Sequence, residues 1–291
     1  MSYQSNLEEF FAYAKERERV RLAKESGASR PWTIDTALGQ FRFCNVYRED
    51  DRTTRWITEN IREPVDKTDP LGLPLAMTIA NFINRIESLD LVKDLIVEGY
   101  HVNRARFHER LKDVNPVVTG AYVIHSEIGM PKLEGCMFIF DWYSKSGWEE
   151  LAKSIEPGKT TLEEVHKWLM EVKNVGAFMA YEIVTDLRHT SLLRDAPDIL
   201  TWASPGPGAA RGLDWLYRDE ADRKPFSYGS KKQRAIMNEE MQKILAASRD
   251  PANWPNQDRP WEMREVEHTL CEYDKWCRVT HGGKRMKRRY P

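Results

Sequence analysis

A single run, Val117-Val118-Thr119-Gly120-Ala121-Tyr122-Val123-Ile124, has the β-rich character of a strand, and Gly129-Met130-Pro131 through Gly135 breaks it. Elsewhere apolar residues recur at helical spacing, in segments separated by Pro-, Gly- and Asp-rich joints such as Asp250-Pro251-Ala252-Asn253-Trp254-Pro255. A chain with at most one small β hairpin has to bury its apolar faces helix on helix. The expected fold is therefore mainly α.

Helical spacing predicts an N-terminal helix over Leu7 to Lys24, ended by Gly27-Ala28-Ser29-Arg30-Pro31, and two helices between Thr36 and Ile61 that meet near Glu49-Asp50-Asp51. Asp69-Pro70-Leu71-Gly72-Leu73-Pro74 reads as a turn and a helix start, because proline suits the first helical turn. Further helices are expected over Leu75 to Ile86, Leu89 to Val97, Asn103 to Lys112, Phe140 to Ile155, Thr161 to Lys173, Gly176 to Asp186, Ala209 to Tyr217, Lys231 to Ala247 and Trp261 to Val279. The 291 residues suffice for one large helical domain or two small ones. With no repeat, low-complexity linker or composition boundary, the chain reads as a single domain over 1–291, carrying an N-terminal helix extension (1–34) and a basic tail (281–291).

Hydrophobic residues at 41% and charged residues at 31% describe an ordinary globular protein. No apolar run approaches the ~18 to 20 residues of a membrane span, and the N-terminus lacks a basic-then-apolar signal. A cytoplasmic protein without membrane partners is expected. Cys44, Cys136, Cys271 and Cys277 form no CxxC pair and no His stands at zinc-ligand spacing, so free thiols, no metal and no cofactor are expected. Lys+Arg of 44 against Asp+Glu of 45 leaves bulk charge silent on nucleic acid, whereas Lys284, Arg285, Lys287, Arg288 and Arg289 in the tail would suit phosphate. A solvated basic tail is the plainer alternative.

Thr160 or Thr161, with Glu163 or Glu164 following, marks the start of a helix that ends at Asn174-Val175-Gly176, where a second helix begins with Ala177. The backbone N–H groups at such a second-helix start would hold a DNA phosphate with the helix dipole behind them, which makes Asn174, Gly176 and Ala177 candidate DNA contacts. A tight helical hairpin that binds nothing has the same sequence. Asp198 follows, just before Ile199-Leu200-Thr201-Trp202-Ala203-Ser204-Pro205-Gly206-Pro207-Gly208. This arrangement resembles the helix-hairpin-helix DNA glycosylase superfamily, where a similar interval separates the hairpin glycine from a catalytic Asp, and Asp198 is the positional match. The lysine of that superfamily's bifunctional members would fall near Met179, where this chain has none, so a lyase is disfavoured.

Phe41-Arg42-Phe43-Cys44-Asn45-Val46-Tyr47-Arg48-Glu49-Asp50-Asp51-Arg52, Gly176-Ala177-Phe178-Met179-Ala180-Tyr181, Gly206-Pro207-Gly208-Ala209-Ala210-Arg211-Gly212 and Leu270-Cys271-Glu272-Tyr273-Asp274-Lys275 occur in this order. Together, over roughly residues 35 to 290, they resemble the thymine-hypermodification family of alpha-glutamyl/putrescinyl thymine pyrophosphorylases, or amino acid:DNA transferases. That helical fold is also known as the helical domain of 5-hydroxymethyluracil DNA kinases. The resemblance implies an enzyme acting on double-stranded DNA whose thymine methyl has been hydroxylated and phosphorylated, with a small amine, an amino acid or polyamine, displacing phosphate or pyrophosphate. Such a reaction needs cations for the leaving group, a base for the amine and a flipped nucleotide.

Arg48 and Arg52, four apart, would share a helix face and clasp a phosphate, or form a surface ion-pair ladder with Glu49, Asp51 and Arg55. Asn45 would read a pyrimidine edge or cap a helix. Gly206 and Gly208, leading into a helix with Arg211, are a candidate anion nest. Asp198 is a candidate base or electrostatic partner, with an N-cap as its structural role. Glu272 and Lys275, three apart, would hold the amine and the leaving phosphate, or make a surface salt bridge. Tyr47, Tyr181 and Trp202 are the aromatics nearest these motifs, with core packing the commoner use of each. A glycosylase excising a modified pyrimidine, the kinase that installs the phosphate, and a DNA-binding accessory module stand as alternatives. No G-x-x-x-x-G-K-[ST] loop occurs, which weighs against a self-sufficient P-loop kinase.

Overall fold

The computed structural model describes residues 2–98, 104–120, 130–142, 147–282 and 290. The helices in chain order are α1 (Tyr3–Glu25), α2 (Thr36–Gln40), α3 (Arg52–Ile57), α4 (Glu63–Thr68), α5 (Leu73–Ile83), α6 (Ile86–Asp90), α7 (Lys93–Val97) and α8 (Arg104–Leu111). They continue with α9 (Lys132–Trp142), α10 (Gly147–Ser154), α11 (Leu162–Glu171), α12 (Ala177–Leu187), α13 (Pro207–Leu216), α14 (Lys231–Ala247) and α15 (Met263–Thr280). No strand ladder occurs among the described residues, and the fold is mainly α. Half of the expected β run, from Ala121 onward, and the basic side chains of the tail lie outside those residues.

Two compact units emerge, one made of Met1–Asp51 with Leu200–Pro291 and the other of Arg52–Ile199. The chain passes between them at Asp51–Arg52 and Ile199–Leu200. Neither crossing contains Pro or Gly, so composition shows no boundary there.

In the first unit, α1 supplies Phe10 and Phe11, both essentially inaccessible, to an aromatic core with Trp254, Trp261 and Tyr273. Phe10 meets Tyr273 edge-on at 5.3 Å and Phe11 meets Trp261 at 5.6 Å. Such contacts add direction to what apolar burial alone provides. Helix α13 lies directly on α15, because Gly212 brings its backbone against the turn at Leu270. A Cβ built on Gly212 would stand 2.3 Å from the Leu270 carbonyl oxygen, and one on Gly208 would stand 2.8 Å from Cys271 Sγ. Two glycines one turn apart on α13 thus make the close approach.

In the second unit, every residue of α5 is buried, as its nearly continuous apolar sequence Leu73-Pro74-Leu75-Ala76-Met77 requires. Between α3 and α4 the helix widens into a π turn over Thr58–Arg62. Buried Arg62 there faces Asp186 of α12 at 3.7 Å, and Asn81 of α5 donates to the same carboxylate at 2.6 Å. Helices α11 and α12 form the expected hairpin. Thr161 and Glu164 close a capping box at the start of α11, and Asp198 reinforces it by accepting from Leu162 N at 2.7 Å and Glu163 N at 3.0 Å. The left-handed residue of the turn is Asn174, at φ 69°, whereas Gly176 is the N-cap of α12 at φ −82° and ψ 168°, a conformation open to any residue. His166 Nε2 meets Ala177 O at 2.9 Å and ties the two helices together.

Alanine at Gly212 would gain about 1 kcal/mol in helix propensity, yet the overlap with Leu270 outweighs it, so Gly212→Ala should lose about 2 kcal/mol or more in chemical denaturation. A more stable variant would show that the α13–α15 approach is looser than described. Asp198→Ala should cost about 1 to 2 kcal/mol by uncapping α11, with Asp198→Asn in between, as read from thermal unfolding followed by circular dichroism.

Candidate functional site

Three segments far apart in sequence converge in the first unit: the stretch from Cys44 to Asp51, the start of α13 and the middle of α15. Tyr47 anchors the first of them. Its ring is buried, its hydroxyl accepts from Trp254 Nε1 at 3.0 Å, and the Arg259 guanidinium lies 3.8 Å above it. A short 3-10 turn, Arg48–Asp50, follows. Asn45 braces it, its amide donating to Asp50 O at 2.9 Å and its backbone N–H to Asp51 Oδ1 at 3.0 Å. Asn45 thus ties down the turn, whose N-cap is Tyr47.

Arg48 closes on Asp51 at 2.6 Å, and both are partly shielded. The expected common face of Arg48 and Arg52 does not form, because Asp51 takes an extended conformation (ψ 137°) and ends the turn before α3 begins. Arg52 is exposed and belongs to the second unit.

On α15, Glu272 is buried at 2% exposure and pairs with Lys275, while Cys44 N donates to its other oxygen at 3.4 Å. Desolvation works to lower the Lys275 pKa, but Glu272 and Cys44 outweigh it and hold the ammonium above its usual value. This pair therefore differs from a solvated i,i+3 bridge, since one partner has left water. Asp274, 1% exposed, accepts from Arg211 Nε at 3.0 Å and lies 3.3 Å from Arg278. Arg211 is accordingly tied to α15, with its outer edge still exposed. Neither Gly206 nor Gly208 adopts positive φ, so the turn before α13 lacks the left-handed residue that shapes an anion nest. Gly208 instead admits Cys271.

Residues outside the expected set complete this region. Arg17 of α1, 4% exposed, donates to Tyr13 at 3.2 Å and Thr269 at 3.0 Å. His268 stands one turn before Glu272, and its Nε2 is buried without a hydrogen-bond partner. Desolvation, followed by the charges of Arg48, Arg264, Arg17 and Lys275, holds His268 well below the usual imidazole range, so it is neutral. Desolvation, followed by Glu272, pushes the Cys44 thiol up to about 12. The i,i+4 spacing of His268 and Glu272 is the local signal for this juxtaposition. For Cys44 and Arg17, no spacing rule connects them to α15.

Most of the remaining sequence candidates lie in the second unit. Asp198 caps α11, and desolvation raises its pKa more than the two N–H groups lower it. Asn174 lies at the hairpin turn, and Gly176, Ala177 and Phe178 are exposed at the start of α12. Tyr181 is buried in α12, and Trp202, in the first unit, is half-buried. No helix among the described residues is long and apolar enough to cross a membrane.

At the start of α15, desolvation and then Glu262 push Glu265 up to about 7. A carboxyl whose folded pKa is raised contributes stability that is full below its unfolded value near 4.5 and is lost as pH rises through about 7. Glu265→Gln, which keeps the acceptor for Glu262 N, should flatten the fall in unfolding free energy between those two pH values.

The family described as 5-hmdU DNA kinase, helical domain, matches residues 4–286. A 5-hmdU DNA kinase of Bacillus phage SP10 is 26% identical over 234 residues, which is 72% of this chain and 36% of the relative. The chain thus spans little more than a third of that relative's length. No solved structure matches. With the match running through both units and across every segment of the site, the chain belongs to the 5-hmdU DNA kinase helical-domain family.

Proposed function

We propose that this protein is an enzyme of thymine hypermodification that replaces the phosphate, or pyrophosphate, on 5-hydroxymethyluracil in DNA with an amine. The observation that carries this reading is the convergence of Arg48, Glu272 and Lys275 at one partly shielded place in the first unit. The phage relative, a 5-hmdU DNA kinase, suggests the modified base. Because the relative is much longer than the chain matched to it, its kinase activity can reside elsewhere in it, and this chain has no G-x-x-x-x-G-K-[ST] loop.

The reaction has definite requirements. The amine nitrogen forms a bond to the exocyclic methylene, the methylene carbon–oxygen bond breaks, and phosphate leaves with the electron pair. Either direct displacement or elimination and addition across the pyrimidine ring satisfies this balance. Lys275 and Arg48 would stabilise the charge that develops on the departing oxygen, and a shielded setting strengthens that effect. Glu272 would hold the ammonium group and receive its proton. Arg211, half-exposed beside Asp274, extends the cationic surface toward DNA. In the second unit, the exposed start of α12 with Asn174, Gly176 and Ala177 would contact the phosphate backbone. Asp198 would support that grip by capping α11; in a glycosylase it would instead be the acid facing the sugar.

Incubation with duplex DNA bearing 5-phosphomethyluracil and a panel of amines, then digestion to nucleosides and mass spectrometry, should reveal one nucleoside heavier by a single amine. Free base with an abasic strand would establish excision instead, and unchanged DNA with every amine would sink the transfer reading. Lys275→Ala and Arg48→Ala should each slow transfer by about a hundredfold, with Arg52→Ala close to the parent.

A further inference from the structure

Cys44 Sγ, His268 Nε2 and a carboxylate oxygen of Glu272 lie within 4.8 Å of one another. The geometry is built from two places: His268 and Glu272 face the same way from successive turns of α15, and the segment after α2 brings Cys44 to them. Both α15 residues are deeply buried, at 8% and 2% exposure. His268 Nε2 has no hydrogen-bond partner, and protein interiors seldom leave a buried ring nitrogen in that state.

We propose that Cys44, His268 and Glu272 bind a divalent cation of the zinc class. One sulfur, one nitrogen and one oxygen donor suit a borderline-soft ion, whereas magnesium and calcium favour oxygen alone. Three protein ligands leave a fourth position free, the arrangement of a reactive site in contrast to a closed structural one. On binding, the Cys44 thiol gives its proton to solvent, and the ion fills the bonding capacity of His268 Nε2. The thiolate and the Glu272 carboxylate together carry two negative charges. Among the surrounding cations, Arg48 is matched by Asp51 at 2.6 Å, Arg264 faces Glu267 at 3.9 Å and Lys275 is paired with Glu272 itself, so the ion would share that carboxylate with Lys275. If the transfer reading above holds, the free position next to Lys275 would take an oxygen of the departing phosphate and Glu272 would act as a ligand in place of the amine's proton acceptor; the metal site itself does not depend on that reading.

A second trio, Glu9, Cys277 and His281, has similar spacing but lacks the orphaned donor. His281 there is exposed and its Nε2 lies 3.5 Å from Glu9, so its ring nitrogen is neither buried nor orphaned. It serves as the internal comparison.

The full chain, stripped with a chelator, is titrated with Co²⁺ and then Zn²⁺, with bound metal counted by mass spectrometry of the desalted protein. The expected result is one Co²⁺ per chain with a thiolate-to-cobalt absorption band, abolished by added Zn²⁺. Cys44→Ala and His268→Gln should each weaken binding at least about tenfold with helical circular dichroism unchanged, while Cys271→Ala and Cys277→Ala retain the band. Substoichiometric binding by the parent chain, or a band that survives Cys44→Ala and disappears in Cys277→Ala, overturns the proposal. Should Cys44→Ala fail to fold, the His268→Gln titration decides, full-strength binding counting against the site. None of these readouts uses base modification, so a protein that binds zinc yet transfers no amine would separate the two ideas.

Discussion

The close crossing of α13 and α15 is the constraint from which the first unit takes its shape. Gly212 leaves no room for even a methyl group above the Leu270 carbonyl, and Gly208 leaves little above Cys271. With the two backbones so near, side chains flanking the contact have short reaches and fixed directions. Arg211 therefore meets Asp274, and Trp215 Nε1 approaches the same carboxylate at 3.4 Å. In the aromatic core, Phe10 of α1 packs edge-on against Tyr273 of α15 and against Trp261 just before that helix.

Helix α15 carries an unusual load of buried charge as a result. Glu267, His268, Glu272 and Asp274 are each at least nine-tenths buried. Charges survive there only when paired, because the desolvation of an unmatched ion costs several kcal/mol. Asp274 has Arg211 and Arg278, and Glu272 has Lys275 and the Cys44 N–H. His268 escapes the requirement by staying neutral. A row of matched charges around the unpartnered Nε2 of a neutral His268 distinguishes this face from ordinary helix packing.

Much of the local structure was legible in the residues. Most periodic segments become helices within a few residues of their expected ends, and α14 spans Lys231 to Ala247 as expected, whereas the first of the two helices expected between Thr36 and Ile61 stops at Gln40, where Phe41 turns extended. The spacing-based expectations were less dependable where a single backbone residue decides the path. Asp51 turns extended and separates Arg48 from Arg52, and within the expected Asn174-Val175-Gly176 turn it is Asn174 that takes the left-handed conformation. Where a helix is expected from Phe140 to Ile155, the described residues hold α9, which begins already at Lys132, and α10, with 143–146 outside them. Apolar periodicity reports which face is buried, but it does not register a single φ/ψ choice, whose cost is only a few kcal/mol.

The sequence by itself determined that the chain is mainly helical, where most of its helices run and that Glu272 and Lys275 share a face, because these follow from short-range periodicity. Only the tertiary structure decided which of the candidates meet. It brings Cys44, Arg17 and Arg48 to α15, and it places Asp198 at the start of α11. The physical reason is that contacts between distant segments depend on helix crossings set by the small residues at the interface, and no local spacing rule encodes the partner on the other side of the crossing.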